Sequence, residues 1–192
     1  MDGFLLKIYS ATQTVFTSRE IAMLTGEKKA DNLKAKLSYY VKQGDLVRLR
    51  RGLFARNQKF DVKECAVRIC TPAYISLETV LAEEGVIFQY YASIFVTSYL
   101  SRDIVCAQSL ISYKKIKDEI LLNQKGLVNK GTYLQATKER AFLDRLYLSG
   151  DYHFDNLQSM DWEKCFELVT IYGKKSLTQK LNQYYKKYAQ QK

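Results

Sequence analysis

The stretch LVRLRRGLFAR, Leu46–Arg56, sets four arginines among apolar residues that favour strands. Apolar residues and arginines alternate from Val47 to Arg50, which is the period-2 pattern of a β-strand. Arg51 and Gly52 have the composition of a two-residue turn, after which LFA returns as a second strand. The stretch therefore predicts a β-hairpin with one apolar face and one arginine face.

Three helical patterns precede this hairpin. Residues 4–16 place apolar side chains at helical spacing, and SREIAMLTG has cap residues at its start and Gly26 at its end. A third pattern, ADNLKAKLSYYVKQG, forms one apolar stripe and stops at Gly44. Three helices followed by a basic hairpin are the element order of a winged helix-turn-helix.

The third helix predicts a polar, basic face opposite its apolar stripe. That face carries Lys28, Asn32, Ala35, Tyr39 and Lys42, with Lys29, Lys34 and Lys36 beside it. Lysine suits phosphate, whereas Asn and Tyr can reach base edges in a major groove. A helix that is merely solvated would have the same composition, so the hairpin is what favours DNA binding. The predicted DNA-binding residues are Arg19, Lys28, Lys29, Asn32, Lys34, Lys36, Tyr39, Lys42, Arg48, Arg50 and Arg51.

The charge is concentrated in the same part of the chain. The net charge is +10; residues 1–60 hold twelve Lys or Arg against five Asp or Glu, and residues 61–192 hold eighteen against fifteen. A basic block of this kind attracts polyanions. We expect double-stranded operator DNA, with inverted repeats upstream of the protein's own operon, as a partner.

Composition limits the class of protein. With 192 residues, 47% hydrophobic and 26% charged, the chain is that of a folded globular protein, and we expect neither a membrane span nor secretion. The four cysteines form no CxxC pair and the single histidine has no cysteine near it, so we expect no metal, no cofactor and reduced thiols in the cytoplasm. No catalytic motif stands out, which predicts a protein that is not an enzyme.

Residues 1–58 and 59–192 are predicted to form two domains, with a linker near residues 57–61. In the second, Ser76 is expected to cap a helix over LETVLAEE, and the segments SIFVTSYLS, DIVCAQSLISYKKI, EILLNQ and TYLQAT are expected to be short strands. Helices are predicted over TKERAFLDRLYL, where Arg140 and Asp144 would pair on the surface, and over WEKCFELVTIY, capped by Asp161. A last helix, in residues 174–192, carries six lysines and is a second candidate for phosphate contacts, or simply a docked soluble helix. The predicted fold class is α+β, with a winged helix-turn-helix before a mixed α/β domain that has a small sheet.

Four stretches resemble one known family. SREIAMLTG, QGDLVRLRRGLFAR, TPAYISLETVLAEEGVI and ATKERAFLDRLYLSG together are similar to the AbiEi-type abortive-infection antitoxins, and they span residues 18–150. The resemblance implies a winged helix that represses the protein's own operon. It also implies a C-terminal domain, with no catalytic residue, that neutralises a nucleotidyltransferase-like toxin.

Two other functions fit parts of the sequence. One is a stand-alone winged-helix repressor without a toxin, which the absence of a nucleotidyltransferase-like reading frame next to the gene would favour. The other is an enzyme that modifies nucleic acid and uses the winged helix only to find it.

Overall fold

A computed structural model of the chain describes residues 2–149 and 151–188, which form a mixed α+β protein. The first six elements are α1 Gly3–Tyr9, β1 Val15–Thr17, α2 Ser18–Thr25, α3 Ala30–Gln43, β2 Val47–Arg50 and β3 Leu53–Ala55. The elements that follow are α4 Val62–Ile69, β4 Ala73–Ile75, α5 Glu78–Glu83, β5 Ser93–Ser98, β6 Arg102–Cys106, β7 Ser109–Lys115, α6 Asp118–Leu121, β8 Leu127–Asn129, β9 Leu134–Ala136, α7 Lys138–Ser149, α8 Trp162–Leu168 and α9 Lys175–Tyr188. A 3₁₀ turn, Val169–Tyr172, lies between α8 and α9.

The first six elements enclose a small core under a three-stranded antiparallel sheet of order β1-β3-β2. The core is built from buried side chains of α1, α2, α3 and the sheet. The prediction of a first helix within residues 4–16 is right only as far as Tyr9. Val15 and Phe16 instead form β1 and pair with Ala55 and Phe54, because their β-branched and aromatic side chains are buried on a pleated sheet.

The later elements surround a six-stranded sheet of order β6-β7-β5-β4-β9-β8. Its neighbouring strands alternate between antiparallel and parallel pairing, so the sheet is mixed. Within the described chain, β6 and β8 are its two edges. The two edges therefore lie at opposite ends of this sheet.

For residues 59–192, two local predictions are wrong and one strand was not predicted. EILLNQ contains the short helix α6, in which Ile120 and Leu121 are buried, and not a strand. Ser76 does not cap α5, because the N-cap of α5 is Leu77. The Ser76 hydroxyl donates instead to Asp144 Oδ2 at 2.7 Å. The strand β4 in TPAYIS was not predicted at all, because three buried residues give no alternation.

The two halves of the chain share part of the larger core. Val15 of β1 and Leu53 of β3 belong to the same buried cluster as α4, the six-stranded sheet, α7 and α8. Helix α4 packs against β1 on one side and against β4 and β5 on the other. The β2–β3 hairpin and its sheet thus rest directly on the second half of the chain. No helix within the described residues is long and apolar enough to cross a membrane.

Candidate nucleic-acid interface

Helix α3 is held by its apolar stripe and leaves its other side free. Leu33, Leu37 and Tyr40 are buried against the small core, and Gly44 ends the helix in the left-handed conformation. The Tyr40 hydroxyl donates to the Asp2 carboxylate, which raises the pKa of Tyr40 to about 12. The helix is therefore fixed on its inner side by packing and by one hydrogen bond.

Every residue predicted to face DNA from the third helix is exposed, but Lys28 and Lys29 lie before α3, which begins at Ala30 and has Lys29 as its extended N-cap. The exposed set comprises Lys28, Lys29, Asn32, Lys34, Lys36, Tyr39 and Lys42. Tyr39 leaves 57% of its surface in solvent, which is unusual for so large an aromatic side chain. Lys36 differs from the other lysines, because its Nζ lies 2.8 Å from Glu27 Oε2 and 5.4 Å from the centre of the Phe4 ring. The hydrogen bond from Lys36 lowers the pKa of Glu27, so the carboxylate offsets the charge of this lysine.

The start of α2 joins this surface to the hairpin. Thr17 and Glu20 form a capping box, and the backbone N–H of Ser18 donates to the Gly52 carbonyl at 3.0 Å. Gly52 has φ 77°, a conformation that favours glycine in the hairpin turn. Arg19 follows Ser18 and is exposed, so it lies beside the turn that carries Arg51.

The predicted hairpin is present, but its predicted division into two faces is wrong. A β-bulge shifts the register between Arg48, which pairs with Phe54, and Arg50, which pairs with Leu53. Adjacent residues of a strand point to opposite faces, and cross-strand partners point to the same face. Arg48 therefore lies over the small core, with its guanidinium 5.4 Å from the Phe54 ring, whereas Arg50 lies on the side of the larger core. Both side chains are exposed, as is Arg51.

A buried carboxylate joins the two halves beneath this surface. Glu64 of α4 is fully buried; its Oε2 accepts from the backbone N–H and the hydroxyl of Thr14 at 2.9 and 2.7 Å, and its Oε1 accepts from Arg68 Nε at 2.9 Å. Arg68 also pairs with Glu20 of α2. Thr14 and Glu64 are fifty residues apart, so no local sequence pattern indicates this contact. Glu64 and Arg68 thus link Thr14, α2 and α4 in one network.

We expect Glu64→Gln to lower the free energy of unfolding by about 1–3 kcal/mol, because it leaves buried donors of Thr14 and Arg68 poorly paired. Glu163→Gln, a matched change at an exposed position on α8, should change it by less than about 0.5 kcal/mol. Urea unfolding followed by circular dichroism measures both values. Equal stability of the two variants would mean that the Thr14 contact does not hold the halves together.

A second cluster of titratable groups lies deep in the larger core. Arg140 and Asp144 of α7 pair at 3.3 Å with both side chains fully buried, so the prediction of a surface pair is wrong in its location. The Asp144 carboxylate also accepts from Tyr74, Ser76 and Tyr172 at 3.0, 2.7 and 2.7 Å. Burial raises the pKa of Asp144, and Arg140 and the hydroxyl donors oppose that rise. The cluster joins α7 to β4 and to the 3₁₀ turn, and its hydrogen bonds are those of a structural network.

The lysine-rich last helix is docked as predicted. Leu177 and Leu181 of α9 are buried, while Lys175 and Lys186 are exposed. Lys180 is partly paired with Asp151, and Lys187 lies over the Tyr188 ring at 5.0 Å. Residues 189–192, with the sixth lysine, lie outside the described chain, as does Gly150. Among the described lysines of residues 174–188, only Lys180 forms an ion pair.

Sequence reasoning gave no weight to two exposed aromatic side chains. Phe88 and Tyr90 are 72% and 87% exposed in the segment between α5 and β5.

Within the described residues, no group of three His, Cys, Asp or Glu side chains is arranged to hold a metal ion. No protein-family model matches the chain, and no curated protein matches it either.

Proposed function

We propose that residues 1–58 bind double-stranded operator DNA as a winged helix-turn-helix, and that the chain represses its own operon and acts as an antitoxin. The observation that carries the proposal is the exposed surface of α3, which is rich in lysine and also offers Asn32 and Tyr39. This surface adjoins a hairpin with three exposed arginines. Phosphate and base contacts need these two kinds of side chain.

The order of the first six elements supports the winged-helix part of the proposal. A tight turn at Gly26 joins α2 to α3, and the β2–β3 hairpin follows α3 directly. In a winged helix-turn-helix the second helix of the motif enters the major groove, and here that helix is α3. The wing would then contact the adjacent backbone or minor groove.

The antitoxin part rests on the resemblance in the sequence, and one feature of the core bears on it. Tyr74 and Ser76 come from TPAYISLETVLAEEGVI, and Arg140 and Asp144 come from ATKERAFLDRLYLSG. These two stretches meet in the buried cluster, although about 65 residues separate them along the chain. Their pairing thus has a physical basis in one core. The proposed partner is a nucleotidyltransferase-like toxin, and the proposal includes no catalysis by this chain.

We expect Asn32→Ala and Tyr39→Ala to reduce sequence discrimination, because both side chains are exposed on the proposed base-reading face. A good base contact contributes about 1–3 kcal/mol of discrimination against the wrong base. Fluorescence anisotropy on a duplex from upstream of the gene and on a shuffled duplex measures the affinity ratio. Lys34→Ala serves as the control, since a phosphate contact should weaken both duplexes alike. Unchanged ratios in both variants would contradict the assignment of this face.

Repression and protection from the toxin should be separable in the whole chain. Reversing the charges of Arg48, Arg50 and Arg51 should abolish repression, because glutamates in the wing repel phosphate, and should leave protection intact. The measurement is co-expression with a neighbouring nucleotidyltransferase-like protein, with growth and an operator reporter scored in the same cells. Protection that falls in proportion to DNA binding would contradict a separate antitoxin role.

Variants of the whole chain test this better than a truncation. A chain that begins near Asp61 should still protect only if it folds without residues 1–60. Such a chain would lack Thr14, which binds the buried Glu64, and would uncover the core contacts of Val15 and Leu53. Misfolding alone would therefore explain a loss of protection in the truncated protein.

A further inference from the structure

The edge strand β6 of the six-stranded sheet ends beside the wing. The Cys106 thiol at the end of β6 lies 3.4 Å from the Cys65 sulfur of α4 and 4.0 Å from the Leu49 carbonyl of β2. A cleft between β2 and the β6–β7 turn is lined by Val47, Arg48 and Leu49 on one side and by Ala107 and Gln108 on the other. The wing and β6 are thus neighbours.

Strand alternation places Arg102 on the same face of the sheet as this contact. Side chains two residues apart share a face, so Arg102, Ile104 and Cys106 point to the side where α4 and the wing lie. The cross-strand partner of Arg102 is Tyr113, whose hydroxyl donates to the Ala66 carbonyl of α4 at 2.6 Å. Asp103 points to the other face, where it accepts from Ser112.

The electrostatic environment of Cys70 agrees with this placement of Arg102. Burial raises the pKa of the Cys70 thiol, and the charges of Arg50 and Arg102 both lower it. The charges of both guanidinium groups therefore act on the same thiol, one from the wing and one from β6, as their shared side of the sheet leads us to expect. Arg102 is exposed, and no carboxylate in residues 2–149 or 151–188 forms an ion pair with it.

We infer that the DNA-binding surface extends beyond the wing onto β6, and that Arg102 of the second domain contacts the phosphate backbone next to the phosphates bound by Arg50. This inference rests on the proposed function, because it assigns one more contact to the same site. It makes the second domain part of the DNA interface. The proposed contact is with a DNA phosphate. It carries no base specificity, because phosphate contacts position a protein on the duplex without reading its sequence.

The test compares Arg102→Gln and Arg102→Glu with the same changes at Lys130. Lys130 is also exposed and basic, but it follows β8 at the opposite edge of the sheet. Affinity for a 30-base-pair duplex of arbitrary sequence and for a duplex from upstream of the gene is measured by anisotropy at several salt concentrations. Removing one phosphate contact should reduce the slope of log affinity against log salt by about 0.9 on both duplexes, and should lower affinity about threefold or more. Arg102→Glu should have the larger effect, and Arg102→Lys should retain most of the affinity.

The possible outcomes distinguish a failure of this inference from a failure of the proposed DNA binding. If wing variants lose affinity and the Arg102 variants behave like the Lys130 variants, the extension onto β6 is wrong and the winged helix remains. If the unaltered protein binds neither duplex, both proposals fail. A change at Arg102 that weakens binding without altering the salt slope, in a protein that unfolds at the same urea concentration, would also overturn the phosphate contact.

Discussion

Replacing Arg48 and Arg51 with glutamate should reduce DNA affinity by on the order of 100-fold at moderate salt, on operator and random duplexes alike. Each arginine that neutralises a phosphate releases counterions, so its loss removes affinity and salt dependence together. If the unaltered protein makes about six phosphate contacts, it should itself lose about 10³-fold in affinity between 50 and 200 mM salt. In the double variant the slope should be smaller by about 1.8.

The chain offers a control that changes the net charge by the same amount. Lys125 and Lys130 are exposed beside β8, at the sheet edge opposite the one that adjoins the wing. Their double replacement by glutamate should leave the slope close to that of the unaltered protein. If both double variants lose affinity equally, net charge and not the wing governs binding. If the unaltered protein has no salt slope, the electrostatic account of the whole surface fails.

The first sixty residues were largely predictable because their signals are local. The Gly26 and Gly44 stops, the capping residues of α2 and the apolar stripe of α3 each act within a few residues, and the structure has these elements where the sequence predicts them. The two faces of the hairpin were not predictable. A bulge is a property of the paired strands, and nothing in LVRLRRGLFAR indicates it.

The second half of the chain was less predictable because its elements are short and its contacts distant. EILLNQ has the composition of a strand, and it becomes helical because Ile120 and Leu121 enter the larger core on one turn. The contact of Thr14 with Glu64 depends on tertiary structure alone, as does the pairing of Arg102 with Tyr113, which sets the face of the sheet on which Arg102 lies. The spacing of Arg140 and Asp144 correctly indicated a pair, but burial depends on what packs around α7.

The buried cluster around Asp144 should be the most sensitive point for stability. Asp144→Asn should lower the free energy of unfolding by about 3–5 kcal/mol, because it removes the charge that compensates a fully buried guanidinium. Geometry adds to this cost. One carboxylate oxygen accepts from Arg140 and Tyr172 and the other accepts from Tyr74 and Ser76, so an amide nitrogen at either position would face two donors.

Two further variants provide comparisons for Asp144→Asn in the same unfolding experiment. Lys36→Met breaks an ion pair whose lysine is half exposed, and it should cost less than about 1 kcal/mol. Tyr172→Phe removes one of the four donors to Asp144, and its cost should lie between those of the other two variants, at about 1–3 kcal/mol. All four proteins are compared by urea unfolding with linear extrapolation, provided that the unfolding slope does not change.

The order of these three values tests the physical account of the larger core. Arg140 donates to the Ile120 and Lys125 carbonyls at 2.7 Å as well as to Asp144, so part of its hydrogen bonding would survive the loss of the carboxylate. If these carbonyls alone satisfied the guanidinium, Asp144→Asn would cost no more than Lys36→Met, and the core would need no ion pair. We expect the larger cost, because carbonyl dipoles do not neutralise a positive charge in a site without solvent. The cost should also exceed that of Glu64→Gln, since Glu64 binds an arginine that is partly exposed whereas Asp144 binds one that is not.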